Sequence, residues 1–347
     1  MRAIRFVSVF VSLFLPTFAG VPNISSRGYV APGVPQNNTG NSQNAESFKY
    51  LAVTLPDPAR LHEKSYWFNA IPLIQTTAVA EGWTLLPGSD CTNGGKYFGV
   101  RYLPKSAPSI AALYDSKGVI AGFQILYKVD ALTKGSSEAD CDTLNKFQNN
   151  YTFSDQRMIN KETIGGTQYF VLTAYFVNPK QICSSNRSPS RVKTDGFGNQ
   201  LSFQNGPTPS TLILAPATRK LAAAQSWTNN QCLPLNGYHN FFKSNEWDSK
   251  NCTENRPDWL FYNKDQRLSG FGFSLPGCDG SPRFQHPPGE IVQYVSGSKC
   301  AKTVSDTIKF SNMNVYFVPP ISTLHDCPEL ESKIPENIDQ ILKELVG

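Results

Sequence analysis

Histidine is the scarcest chemical resource in this 347-residue chain, which carries only His62, His239, His286 and His325. A type-2 copper or zinc centre needs two or three imidazoles converging, each steadied through its other ring nitrogen. His239 in "GYHNFF" and His286 in "RFQHPPGE" are the pair that one fold unit could bring together. The second string also sets Arg283, His286 and Glu290 around the rigid Pro287-Pro288 step. That would gather an anion-binding group, a base and an acid in one loop. A polyproline connection between two strands explains the same string without any chemistry, and so few histidines argue against a metal oxidase. No catalytic residue, metal ligand or cofactor is therefore assigned. A secreted hydrolase or metal-dependent oxidase near His239 and His286 stands as the alternative function.

Other catalytic signatures are missing. The chain has no His-Glu-x-x-His, no Gly-x4-Gly-Lys phosphate loop and no Asp-rich calcium loop. "GFSLPG" at Gly272–Gly277 puts Pro276 where a nucleophile elbow needs glycine. Net charge is +5, or +3 without Arg2 and Arg5, and no dense Lys/Arg run follows them. Nucleic acid and anionic membrane are accordingly poor partner expectations.

The cysteines number eight: Cys91, Cys141, Cys183, Cys232, Cys252, Cys278, Cys300 and Cys327. An even set with no Cys-x-x-Cys spacing reads as disulfides rather than a zinc knuckle or a redox dithiol. Oxidising export fits the first residues. Arg2 and Arg5 flank an apolar run from Ile4 to Leu15, and Thr17-Phe18-Ala19 supplies small residues for cleavage. Residues 1–19 are expected to be a signal peptide, with a membrane anchor as the lesser alternative. Asn23, Asn37, Asn150, Asn186 and Asn251 each open an Asn-x-Ser/Thr glycan acceptor.

The elements that would position these residues are written twice. "ALYDSKGVIAGFQI" at Ala112–Ile125 lies over "LFYNKDQRLSGFGF" at Leu260–Phe273 without a gap, pairing Tyr114 with Tyr262 and Gly122 with Gly270. "PLIQTTAVAEGWT" from Pro72 matches "PATRKLAAAQSWT" from Pro216, and "YFVNP" from Tyr175 returns as "YFVPP" from Tyr316. The outer landmarks, Pro72/Pro216 and Cys183/Cys327, keep one offset of 144 residues. A period of that size implies two domain-sized copies, not a solenoid. Each copy should contain a short helix opening on Pro72 or Pro216 and ending near a core tryptophan, Trp83 or Trp227, and then a β-hairpin. Asp115 to Gly118 makes the first turn and Asn263 to Gln266 the second. Glycine inside a strand weakens pairing, so Gly122 and Gly270 should mark a bulge or a close backbone approach.

The expected fold is α+β: two tandem duplicated, mainly antiparallel β units, each with a short helix, plus a C-terminal amphipathic helix. The boundaries are 1–19 signal peptide, 20–48 flexible polar arm, 49–183 first unit, 184–209 exposed linker loop, 210–327 second unit and 328–347 helix. In that last segment Ile338, Ile341, Leu342, Leu345 and Val346 form one apolar stripe. Three cysteines in the first unit and five in the second demand at least one bridge between units. The pairing expected from spacing is Cys91–Cys232, Cys252–Cys278, Cys141–Cys183 and Cys300–Cys327. Tyr66-Trp67-Phe68, Tyr238 with Phe241-Phe242, and Trp259 with Phe261-Tyr262 could offer an aromatic binding face. The functional expectation is a secreted, disulfide-bonded glycoprotein without a membrane span. It would act as an extracellular binding or matrix-type component for a protein or carbohydrate ligand.

Overall fold

The computed structural model describes residues 47–54, 68–91, 95–105, 108–134, 141, 156–250, 252, 255–323 and 326–327. All of them fall within one compact unit, Asn44–Lys333. The apolar stripe from Ile338 to Val346, and residues 1–46 with the expected signal peptide and most of the expected polar arm, lie outside the described residues.

The chain opens with β1 (Ala52–Thr54), β2 (Phe68–Ala70), α1 (Gln75–Ala80), β3 (Thr84–Leu85), β4 (Val100–Leu103) and the hairpin β5 (Ile110–Tyr114) and β6 (Ile120–Lys128). Next come α2 (Val129–Lys134), β7 (Asn160–Ile164), β8 (Thr167–Tyr175), α3 (Pro179–Ile182) and α4 (Val192–Asp195). A second series starts with β9 (Ser202–Gln204), β10 (Leu212–Leu214), α5 (Arg219–Ala224), β11 (Trp227–Leu233) and β12 (Gly237–Phe242). It continues through the hairpin β13 (Asp258–Tyr262) and β14 (Leu268–Pro276) to α6 (Gly289–Ser296), α7 (Lys299–Thr307) and β15 (Phe310–Tyr316).

These strands form two antiparallel sheets, with few and short helices, which makes the fold α+β. The first sheet runs β10-β9-β8-β6-β5-β4-β3, with β7 also paired to β8, and the second runs β11-β12-β13-β14-β15-β1-β2. The order contains an exchange. The earliest strands, β1 and β2, join the second sheet through Ala52 opposite Tyr316. Conversely β9 and β10 join the first sheet through Ala174 opposite Phe203. Between the sheets lies one core fed by both, in which Phe203 meets Phe271 at 5.6 Å and Phe176 meets Phe317 at 5.5 Å between ring centroids.

The two hairpins are built alike. Leu113 pairs Gly122 and Phe261 pairs Gly270, and the register slips by one residue immediately after each pair. Gly122 then faces Tyr175, and Gly270 faces Tyr316, on the next strand. A Cβ on Gly122 would stand 2.7 Å from the Ala174 carbonyl oxygen, and one on Gly270 would press into that of Val315. Both glycines therefore serve a bulge and a close approach together. The turns match too: Gly118 has φ +77°, while Gln266 holds φ +64° in its place. Asp115 caps the first turn by accepting from the Lys117 and Val119 amides, and Asn263 accepts from the Arg267 amide.

Two expectations need correction. Pro72 and Pro216 do not open their helices, which begin three residues later. Their carbonyls instead accept the hydroxyls of Tyr114 at 2.8 Å and Tyr262 at 2.7 Å, pegging each helix to its hairpin. Nor are residues 184–209 an exposed loop. They supply α4 and β9, and they bury Val192, Phe197, Leu201 and Phe203, because the first sheet needs that strand and the core those side chains. Trp83 and Trp227 are buried as core anchors, and Gly82 (φ +83°) ends the turn after α1.

Gly270→Ala is expected to destabilise the protein by about 1–3 kcal/mol, the usual cost of forcing a group into packed structure. Urea unfolding of the variant against the parent measures it, and an unchanged midpoint would contradict this account of the bulge.

Candidate functional site

All eight cysteines are paired, in four disulfides. The spacing-based pairing is overturned: the bridges are Cys91–Cys183, Cys141–Cys278, Cys232–Cys327 and Cys252–Cys300. Cys91 follows edge strand β3 of the first sheet and Cys232 lies on edge strand β11 of the second, so each bonds beside its own sheet. Cys183 and Cys327, their partners, follow the last central strands β8 and β15. The parity argument holds, since Cys141–Cys278 crosses from residues 49–183 to residues 210–327.

The "RFQHPPGE" segment begins four residues after Asp279, which with Cys278 follows β14 and reaches the first sheet. Asp279 accepts the Lys128 amide at 2.8 Å and the Ser281 amide at 3.1 Å. Phe284 stacks on Tyr127 at 4.6 Å, and the Tyr127 hydroxyl donates to the Phe273 carbonyl. Arg283, His286 and Glu290 do not assemble into one acid–base group. The Arg283 side chain is fully buried. Glu290 starts α6 and pairs with Lys302 of α7 at 2.9 Å, and that hydrogen bond holds its carboxyl below the usual range. His286 sets Nδ1 2.9 Å from the Phe310 carbonyl and Nε2 3.7 Å from Cys278 Sγ.

His239 and His286 do not converge either. His239 is in register with Phe261, Gly270 and Tyr316 across three strand pairings, whereas His286 is fastened at Phe310, six residues along β15. With strands ~4.8 Å apart and ~3.4 Å per residue, that separation is roughly 20–25 Å. His239 is buried beside Phe261, ring centroids 4.7 Å apart in an edge-to-face contact, and its Nδ1 has no hydrogen-bond partner. Desolvation pushes its pKa down to about 3, backbone carbonyls of Gly237 and Gln231 opposing only in part. It is a neutral core residue across the physiological range. His62 and His325 lie outside the described residues.

The aromatic clusters are mostly structural. Phe241, Trp259, Phe261 and Tyr262 are buried, while Tyr66 and Trp67 lie outside the described residues. Tyr238 and Phe242 remain half-exposed at the rim of the core, and each carries an arginine. Arg219 lies 3.7 Å over the Tyr238 ring. Arg256 sits between Phe242 (4.4 Å) and Trp227 (4.9 Å) while paired to Asp258. Sequence alone could flag the aromatics but not the cations that cover them, which come from α5 and from before β13.

On the first sheet the equivalent of His239 is Arg101, opposite Leu113. Arg101 binds Glu162 at 2.7 Å and 3.1 Å, and its Nε donates to Gln124, which in turn donates to Thr173. This network was not visible in the sequence, because its members are 23 to 72 residues from Arg101 and share no motif. Of the glycan acceptors, Asn186 is exposed, and Asn23, Asn37, Asn150 and Asn251 lie outside the described residues. Comparison with protein-family models, curated proteins and solved structures gave no match.

His239 yields a pH prediction. Its folded pKa of about 3 lies below the ordinary 6.5. The unfolded chain takes up a proton that the folded one refuses, so stability is undisturbed above pH ~6.5 and falls as pH drops towards 3. The slope is about 1.4 kcal/mol per pH unit. His239→Leu should show a shallower acid loss between those limits in denaturant titrations. Parallel curves for the two proteins would refute the assignment.

Proposed function

We propose that this chain is a secreted, disulfide-bonded glycoprotein acting as an extracellular binding or matrix-type component. The observation that carries the reading is the pairing of all eight cysteines, since structural disulfides persist in oxidising compartments. Residues 1–19 would direct export, and Asn23, Asn37, Asn150, Asn186 and Asn251 would carry glycans. The enzyme alternative has lost its specific support, because His239 is buried and neutral and His286 is far from it. Among the described residues no helix is long and apolar enough to cross a membrane.

The surface best suited to a ligand is the rim bearing Tyr238 under Arg219 and Phe242 under Arg256. Aromatic faces with stacked guanidinium groups suit the flat apolar faces and hydroxyls of a carbohydrate, or a protein loop. The test is expression of the full chain in a eukaryotic secretory host, followed by a binding screen against polysaccharides and matrix polymers. Export with residue 20 first, a mobility shift on deglycosylation, and at least tenfold weaker binding by Tyr238→Ala at unchanged Tm are expected. Cytosolic retention, or binding indifferent to Tyr238, would sink the proposal.

The same reading includes duplication of residues 49–183 and 210–327, with 184–209 between them. The matched hairpin registers, tyrosine pegs and Cys91–Cys183 and Cys232–Cys327 bridges support it. A crystal structure should superpose Pro72–Cys183 on Pro216–Cys327 with both hairpins and tryptophans in register. Unrelated topologies in the two segments would overturn it.

A further inference from the structure

Around the bridge between the two halves, Cys141 Sγ, Cys278 Sγ and a ring nitrogen of His286 all lie within 4.8 Å of one another. We propose that reduction of this one disulfide opens a Cys2His site for Zn²⁺. In reducing conditions the covalent tie between the halves would thus give way to a coordinate one.

The imidazole is already set for the task. A carbonyl oxygen only accepts, so the 2.9 Å contact from His286 Nδ1 to Phe310 places the proton on Nδ1. Nε2 is left with its lone pair, which is the arrangement metal-bound histidines adopt, the other nitrogen donating to a backbone carbonyl. That lone pair faces Cys278 Sγ at 3.7 Å. A disulfide sulfur has no proton to give, so in the oxidised protein this nitrogen gains no hydrogen bond from it.

The spacing also fits. Zn–S bonds of ~2.3 Å and Zn–N bonds of ~2.0–2.1 Å in a tetrahedron set ligand atoms ~3.5–3.8 Å apart. His286 Nε2 and Cys278 Sγ already have that separation. The two sulfurs must part, from the ~2.0 Å of a disulfide to ~3.8 Å, and Cys141 Sγ, within 4.8 Å of the ring nitrogen, must settle at a similar distance from it, both within the reach of cysteine rotamers. Both cysteines are buried while His286 is half-exposed, so a water can complete the tetrahedron from the histidine side.

The chemistry balances with a dithiol as reductant. Its two thiols supply two electrons and two protons, the Cys141–Cys278 S–S bond breaks to two thiols, and the dithiol closes to its own disulfide. Zn²⁺ then displaces both thiol protons to solvent, releasing two protons per ion.

The test uses the full-length protein, reduced without oxygen by a phosphine that offers no competing thiol, with Co²⁺ as the spectroscopic probe and Zn²⁺ as competitor. Reduced protein should develop a thiolate-to-cobalt charge-transfer band saturating at one ion per chain and abolished by Zn²⁺. The oxidised protein should show none. The double variant Cys141→Ser/Cys278→Ser should lose the band although its other six cysteines are reduced, and His286→Ala should bind at least about tenfold more weakly. Three outcomes overturn the proposal: no band in the reduced parent, an equal band in the double variant, or unchanged affinity in His286→Ala. Circular dichroism runs alongside, and a parent that unfolds on reduction and binds no ion counts against the site.

Discussion

The second sheet cannot be completed by a contiguous stretch of chain, whereas the first runs unbroken from β3 to β10. Strands β1 and β2 find their partner in β15, so Ala52 waits for Tyr316, and the Asn314 amide reaches back to the Thr54 hydroxyl at 3.1 Å. Pairings of such sequence separation bear loop-closure entropy before any contact rewards it. What offsets that cost is the shared core, where Phe48 stacks on Phe317 at 3.9 Å while Phe176 and Phe203 of the first sheet pack on Phe271 of the second. The return of β1 and β2 to β15 and the shared core depend on each other.

Given this frame, the two sheets use their outer faces differently. At matched positions the first sheet sets Ala111 opposite Gln124, and the second sets Trp259 opposite Gly272. Gly272 has no side chain because the Trp259 indole lies directly over it, where a Cβ would collide with the ring. Small beside long-polar has become large beside nothing, so the space is filled either way. Arg101 has a bonded side-chain partner in Gln124, whereas the side chains flanking His239 are the rings of Phe241 and Phe261, and burial keeps it uncharged. One register position thus carries a guanidinium in one sheet and an imidazole in the other.

The repeated strings were legible because hairpins are local: β-branched runs, turn residues and one misplaced glycine lie within 14 residues. The antiparallel α+β class and the need for a bridge between halves followed from the same sequence, the latter by parity alone. The exchange was not legible, because β1, β2, β9 and β10 are three residues each, too short to show a period. Parity says nothing of which cysteines meet, so the pairing was missed. The aromatics misled for a related reason. The strand "DWLFY" offers aromatics that could face a ligand, but all five of its residues are buried, on both faces of the second sheet.

The segment from Pro276 to Pro288 is where the second half reaches across to the first. Gly277 holds φ +115° with its Cα against Leu132, a fit that a side chain would spoil. Beyond it Asp279 caps Lys128, Phe284 stacks on Tyr127, and the Ser281 and Ser109 hydroxyls approach to 3.3 Å. Non-covalent contacts therefore already fix this segment on the first sheet, independently of the sulfur bridge among them. The same contacts would hold the Cys278 segment in place were that bond reduced. They also explain how Cys278 and His286, eight residues apart, come to face one another at a point that neither half could build alone.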